Sequence, residues 1–400
     1  MHEVLIGRQP IYDAALEIKA YELLYRSNHE NAAHIPEATD ATGRMLVSAL
    51  MDIGLDNLVG NSPAYINFSR EYFTDENVLS LDKDRIVLEI LETIEPDDDF
   101  VAAIRRYVGL GYKVALDDFV YDDRFRPLID LASAVKIDIR MFDPAKLQEQ
   151  INLVRQSGTK CLLAEKIETY EEFQLCKRLG FELFQGYFLS RPNIVRDKAV
   201  PSNQIAALQI LAKMRDPRIT FKELANIISQ DIGLSYRLLQ FCNSSAVGIG
   251  RKIESILQAV TLLGMSRLRM MVTLLTLKEL NSKPLAVVQT AMMRARLCEL
   301  LGTALDAKEV ESFHLVGLFS ALDTLMDRPL EEILPALPLS PEVTRGILHH
   351  EGRLGEALRC AISMERTSWE DSHCPGLSRD QIQTAYLQAV ASDVHGELVS

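Results

Sequence analysis

A chain of 400 residues, 48% hydrophobic and 25% charged, has the length of two globular domains and enough apolar residues to give each a core. Its net charge of −13 argues against nucleic-acid binding through phosphate neutralisation, and no run approaches the ~20 apolar residues of a membrane span. Cys161, Cys176, Cys242, Cys298, Cys360 and Cys374 form no C-x-x-C pair and residues 1–8 do not open a signal peptide, so reduced thiols and a cytoplasmic setting are expected.

In chain order, the first half alternates short β-rich runs with longer amphipathic stretches. Strands are predicted at residues 4–6, 19–24, 64–68, 86–91, 113–118, 134–139, 160–164 and 182–188. Helical patterns such as 100–110 and 171–179 lie between them, each closed by a glycine, Gly111 or Gly180. Strands alternating with helices predict a parallel sheet, and this many strands in so short a stretch favour a closed barrel. The first two strands are joined without a helix, which leaves one free to run antiparallel. Residues 190–202, with Pro192 and Pro201, read as a linker. The expected division is a barrel over 1–195, a linker at 196–203 and a helical domain over 204–400. After the linker the β runs vanish. Leu224, Ile227 and Ile228 share one helical face, as do Ile256, Val260 and Leu263, and helical patterns continue at 286–305, 309–326, 341–350 and 355–364.

The chemistry is carried by polar residues inside or at the ends of the apolar strands: Glu22, Asn67, Glu89 with Glu92, Asp117 with Asp118, Lys136 with Asp138, Glu165 with Glu168, and Gln185. A charge in such a place costs several kcal/mol unless it is paired or bound to metal. Taken alone, Asp117-Asp118 reads as a helix cap followed by a solvated acid. Converging from seven strands on one barrel mouth, the set is no ordinary surface. Carboxylates with an amide oxygen are hard ligands that suit Mg²⁺ or Mn²⁺ better than zinc. Two such ions are the usual apparatus of phosphodiester hydrolysis.

Glu22-Leu23-Leu24-Tyr25-Arg26 resembles the E-x-L-x-R signature of EAL domains, cyclic di-GMP phosphodiesterases built on a (β/α)8 TIM-like barrel. The resemblance continues through residues 66–69, 88–92, 116–119, 135–138, 164–168 and 184–187, in order and in spacing. It implies that Glu22, Asn67, Glu89 and Asp117 ligate one Mg²⁺ or Mn²⁺, with Asp117 bridging to a second shared with Asp118 and Glu165. It further implies catalytic roles for Lys136, Glu165, Gln185 and Glu22, with Lys136 assisting the attacking water and Gln185 positioning it. Arg26, Leu24, Asp138 and Gln185 are expected against the substrate, and Glu92 is expected to support the loop after the paired aspartates. Two departures stand out. The glycine that usually follows D-D-F is Val120, for which a left-handed backbone is costly, so a different loop course is expected. Lys166 replaces a customary glycine beside Glu165, putting a cation at the mouth or turning it away. Hydrolysis, binding without turnover and a purely structural barrel all stay open.

The second half is similar to HDOD domains, all-helical modules related to HD-type metal-dependent phosphohydrolases, through residues 224–231, 234–239, 243–244, 253–256 and 259–264. The His-Asp pair of the true enzymes is absent, since Gly317-Leu318-Phe319 runs into Ser320-Ala321. His314 and Asp323 have no obvious companions, and His349-His350 reads as a helix cap or surface pair. The resemblance implies a regulatory module that engages a protein partner. Cyclic di-GMP is the implied ligand, a homodimer through the barrel is an open arrangement, and neither specific nucleic acid nor membrane is expected as a partner.

Overall fold

A computed structural model of the protein describes residues 4–27, 53–74, 81–158, 161–190, 212–213, 219–229, 238, 242, 255–259, 261–264, 268, 285–326, 328–337 and 339–394. The predicted linker, Val260, Met270 and Met271 lie outside them, as does the side chain of Arg26. The chain divides into two compact units, Met1–Arg191 with Met364–Trp369, and Pro192–Ser363 with Glu370–Ser400.

In the first unit eight strands close a barrel in sequence order. They are β1 (Val4–Asp13), β2 (Ile18–Ser27), β3 (Ala64–Phe68), β4 (Ile86–Ile90), β5 (Lys113–Leu116), β6 (Ala134–Asp138), β7 (Leu162–Ile167) and β8 (Leu183–Gly186). The antiparallel strand is β1, paired that way with both β2 and β8, while the remaining neighbours are parallel. Strands β4 and β6 are buried at every position, as expected of strands covered on both faces.

Side chains alternate along each strand, and this period of two builds the barrel interior in layers. One apolar layer takes a residue from each strand: Ile11, Ala20, Tyr65, Val87, Ala115, Ala134 and Leu163, with Leu183 packed against it. Two residues further toward the C-terminal ends lie Glu22, Asn67, Glu89, Asp117, Lys136, Glu165 and Gln185. On antiparallel β1 the same level is reached two residues earlier, at Gln9, which pairs with Glu22 in the register. The apolar layer plugs the barrel, and the polar one faces the mouth.

Helix starts fix how the chain leaves each strand. Asp97 accepts from the Phe100 N–H at 2.9 Å and opens the helix Asp98–Gly109; Asp143 caps Pro144–Gln156 in the same way. Thr169 and Glu172 form a reciprocal capping box at the start of Tyr170–Leu179. That helix ends at Gly180 with φ 89°, a conformation that glycine adopts without steric cost.

The described part of the second unit is helical, as its pattern predicts. Its elements include Phe221–Ser229, Leu285–Ala304, Val310–Phe319, Leu322–Met326, Pro341–His349, Gly352–Glu365 and Arg379–Val394. The predicted helix over 309–326 is two helices, because the first ends at Ser320. Gly317 lets Val310–Phe319 pack closely on Leu285–Ala304: a Cβ there would lie 2.7 Å from Ala295 Cα. Met292 is buried in this packing, consistent with a core role. No described helix is long and apolar enough to cross a membrane.

Candidate active site

The centre of the barrel mouth is a lysine. Lys136 is wholly buried, and its Nζ lies 2.7 Å from Glu89 Oε1, 2.7 Å from Asp117 Oδ1, 3.0 Å from Glu165 Oε1 and 3.4 Å from Glu22 Oε1. Burial by itself would lower its pKa. The charges of Glu165, Glu22, Glu89 and Asp117 overcome that and hold the ammonium well above the ordinary lysine range. Conversely, burial raises Glu89 well above the usual carboxylate range, reinforced by Glu22 and Asp117 and opposed by Lys136. Burial likewise pushes Glu165 up to about 8, with Lys136 opposing and Asp117, Glu22 and Asp118 adding to the rise. Four carboxylates around one ammonium leave an excess of negative charge in a site of low dielectric.

Several oxygens there receive no hydrogen bond. Among the described residues, buried Asn67 Oδ1, Glu89 Oε2, Glu165 Oε2 and Gln185 Oε1 have no aligned donor. The Asn67 amide nitrogen reaches Glu22 Oε1 at 3.4 Å, which leaves the amide oxygen inward and unused. Gln185 Nε2 donates to Glu22 Oε2 at 2.5 Å and to Gln9 Oε1 at 2.8 Å, fixing both acceptors. One oxygen each from Glu22, Glu89 and Asp117 lie within 4.8 Å of one another, a spacing that one cation can span. Buried and all oxygen, with the donorless Asn67 Oδ1 and Glu89 Oε2 beside it, this set fits a hard divalent ion.

At the rim a second pairing forms. Lys166 Nζ is 2.8 Å from Asp118 Oδ1 and 2.8 Å from Asp138 Oδ2. Asp138 Oδ1 in turn accepts from the Arg140 N–H at 2.9 Å, and Arg140 Nη1 pairs with Glu168 at 3.0 Å. Burial opposes the charge on Lys166, but its hydrogen bonds to Asp118 and Asp138 outweigh that and raise its pKa. Of the two alternatives left by the sequence, Lys166 points into the mouth.

The loop after the paired aspartates takes the course that its residues permit. The left-handed residue is Asp118, at φ 44°, and Val120 is spared that conformation. The Asp117 N–H donates to Ile90 O at 2.9 Å and the Phe119 N–H to Lys136 O at 3.0 Å, so β5 stays pinned between its neighbours up to the loop. Tyr121 N–H then donates to Gln150 Oε1 at 2.7 Å, and Phe119 and Phe125 meet edge to face. Glu92 lies at the rim of the mouth, its carboxyl raised by partial desolvation and then by Asp118 and Asp117. Among the described residues no hydrogen bond joins it to the loop. Leu24 lines the cleft above the carboxylates, a space of 1170 Å³ shared with Asn67, Asp117, Asp118 and Gln185. The backbone of Arg26 continues β2 opposite Leu5. Gln9 is the member that sequence reasoning missed; its signal is its place two residues before Ile11 on a strand that runs backwards.

Among the described residues of the helical unit no comparable set comes together. His314 is buried with Nδ1 3.0 Å from Glu299 Oε2. Where an HD enzyme has its pair, Ser320 Oγ accepts from Arg294 Nη1 at 3.0 Å and donates to Gly317 O at 2.7 Å. Burial raises Asp323, whose Oδ1 accepts the Thr324 N–H. His350 ends its helix at φ 55° as a cap.

A closed barrel with one reversed strand and an acidic mouth centred on a buried lysine defines the EAL class of domain. The EAL domain matches residues 8–192 and the HDOD domain residues 200–327. With both in this order, the chain belongs to the EAL–HDOD family. It is 34% identical to the cyclic di-GMP phosphodiesterase CdgJ of Vibrio cholerae over 388 residues, 95% of this chain and 89% of that protein. It is 30% identical to the protein YuxH of Bacillus subtilis over 400 residues, 97% of each. The Bacillus subtilis YkuI protein, solved with cyclic di-GMP and calcium, is similar at 20% identity and a TM-score of 0.38, covering 57% of this chain and 72% of that one.

Proposed function

We propose that the barrel binds cyclic di-GMP across its mouth and hydrolyses one phosphodiester to the linear dinucleotide with the help of Mg²⁺ or Mn²⁺. The observation that carries this reading is the convergence of Glu22, Glu89 and Asp117 oxygens within the span of one cation, beside the buried and donorless Asn67 Oδ1 and Glu89 Oε2. These four residues would hold the ion. When bound, it polarises the phosphate and makes its water a nucleophile near neutral pH.

The chain's own residues do the rest. Lys136 is a fixed cation in reach of the same carboxylates, placed to stabilise charge that develops on the phosphate oxygens. Glu165, with Oε2 free of donors, can hold the proton released by the attacking water. Gln185, itself anchored by Glu22 and Gln9, turns its carbonyl oxygen toward that water. Leu24, which lines the cleft, and Asp138 would lie against the substrate, and the apolar layer beneath the site excludes bulk water from below. The HDOD module acts as the regulatory, partner-binding half.

Binding without turnover is favoured by one observation: Lys166 already occupies Asp118 and Asp138. Calorimetric titration of cyclic di-GMP into the full chain with Mn²⁺, against Glu22→Ala, tests the shared premise. Saturable binding that weakens in the variant supports it. Absence of binding in both proteins overturns it and leaves a scaffold.

A further inference from the structure

Lys166 sits at an irregular point of the barrel. The pairing of β7 with β8 shifts register between Ala164 and Ile167, and the bulge that results turns the side chain at 166 toward the mouth. Its φ is 56°, a left-handed backbone that a side chain bearing a Cβ adopts at a cost. Asp118, across the mouth, is left-handed too, at φ 44°. Two left-handed residues therefore meet through one ion pair, in which the ammonium lies 2.8 and 3.1 Å from the Asp118 oxygens. The same ammonium is 2.8 Å from Asp138 on β6, so it bridges carboxylates that follow or end two different strands. Strain of this kind persists where the surroundings over-determine it, and here they do so through charge.

A second divalent ion on Asp117, Asp118 and Glu165 would have to share Asp118 with this lysine. The two positive charges would compete for one carboxylate at contact distance, where like charges repel strongly. We propose that the Lys166 ammonium stands in for the second divalent ion, so that this barrel binds one ion and not two. The single ion belongs to Glu22, Asn67, Glu89 and Asp117, and Asp118 with Asp138 is neutralised by the protein itself. The proposal rests on the metal-binding reading above and sharpens it.

The test counts ions. Chelator-stripped full-length protein is equilibrated with Mn²⁺, tightly bound metal per chain is measured, and the electron paramagnetic resonance spectrum is recorded. Asp117→Asn supplies the count of any ion held elsewhere, to be subtracted. The expected result is one Mn²⁺ per chain with the spectrum of an isolated ion. Lys166→Gly, which also suits the left-handed backbone, is expected to bind two with a spin-coupled spectrum; Lys166→Ala, which keeps the strain and removes the charge, is expected to gain the second ion as well. Two coupled ions in the wild type overturn the proposal and leave the metal-site reading standing. A count of one that persists in both Lys166 variants overturns it too. No ion in the wild type overturns this proposal and the metal-site reading together.

Discussion

Replacing Lys136 with methionine keeps most of the side-chain volume and removes the cation on which four buried carboxylates converge. At an effective dielectric of ~20, each contact at 2.7 Å is a Coulomb attraction of about 6 kcal/mol, most of it offset by the cost of desolvating both partners. Removing one partner of a buried pair costs about 3–5 kcal/mol. Lys136 serves four carboxylates at once, which argues for the upper end. Proton uptake by Glu89 and Glu165, both already raised by burial, keeps the loss from exceeding that range. For a domain of this size the expected drop in Tm is about 10–20 °C. The assay is thermal unfolding followed by circular dichroism, first in chelator and then with Mn²⁺. The ion should raise the Tm of the variant more than that of the wild type, because it supplies the missing charge among the same oxygens. A variant that melts with the wild type in chelator, or one indifferent to Mn²⁺, refutes the reasoning.

Other substitutions probe the scaffold. In Gly186→Ala the new Cβ would lie 2.1 Å from Ile167 O at φ 145°, so soluble folded protein should be largely lost, as read by expression and circular dichroism. Thr169→Ala removes the capping box of Tyr170–Leu179 and should cost about 1 kcal/mol, a Tm fall of ~2–4 °C. Gly317→Ala forces the helices Leu285–Ala304 and Val310–Phe319 apart and should destabilise the helical unit by ~1–3 kcal/mol in a denaturant titration, with the barrel's metal count unchanged.

Much of the site was legible because a barrel imposes a period of two on every strand. Glu22, Asn67, Glu89, Asp117, Lys136, Glu165 and Gln185 stand out in the sequence as polar residues in apolar runs, and each proves to lie two residues beyond the plugging layer. Tertiary geometry hid the remainder. Gln9 sits in a strand that the sequence suggests is short, and only its antiparallel pairing with β2 brings it level with Glu22. The direction of Lys166 depends on a bulge between β7 and β8, which leaves no mark in composition. Val120 warned that the loop would take another course, yet the residue that goes left-handed is its neighbour Asp118, a type that tolerates it. In the helical unit Arg379–Val394 was passed over although Ile382, Ala385, Tyr386, Ala389 and Val390 are buried at helical spacing; its signal was present and unread.

The measurement that bears most directly on the barrel mouth as a phosphodiester site is turnover under metal control. Chelator-stripped wild type and Asp117→Asn are incubated with cyclic di-GMP while Mn²⁺ is raised stepwise, and products are separated by chromatography. The account predicts linear dinucleotide from the wild type in proportion to bound Mn²⁺, and none from a folded Asp117→Asn. Intact cyclic di-GMP at saturating Mn²⁺, or product that forms without metal or in the variant, would contradict it.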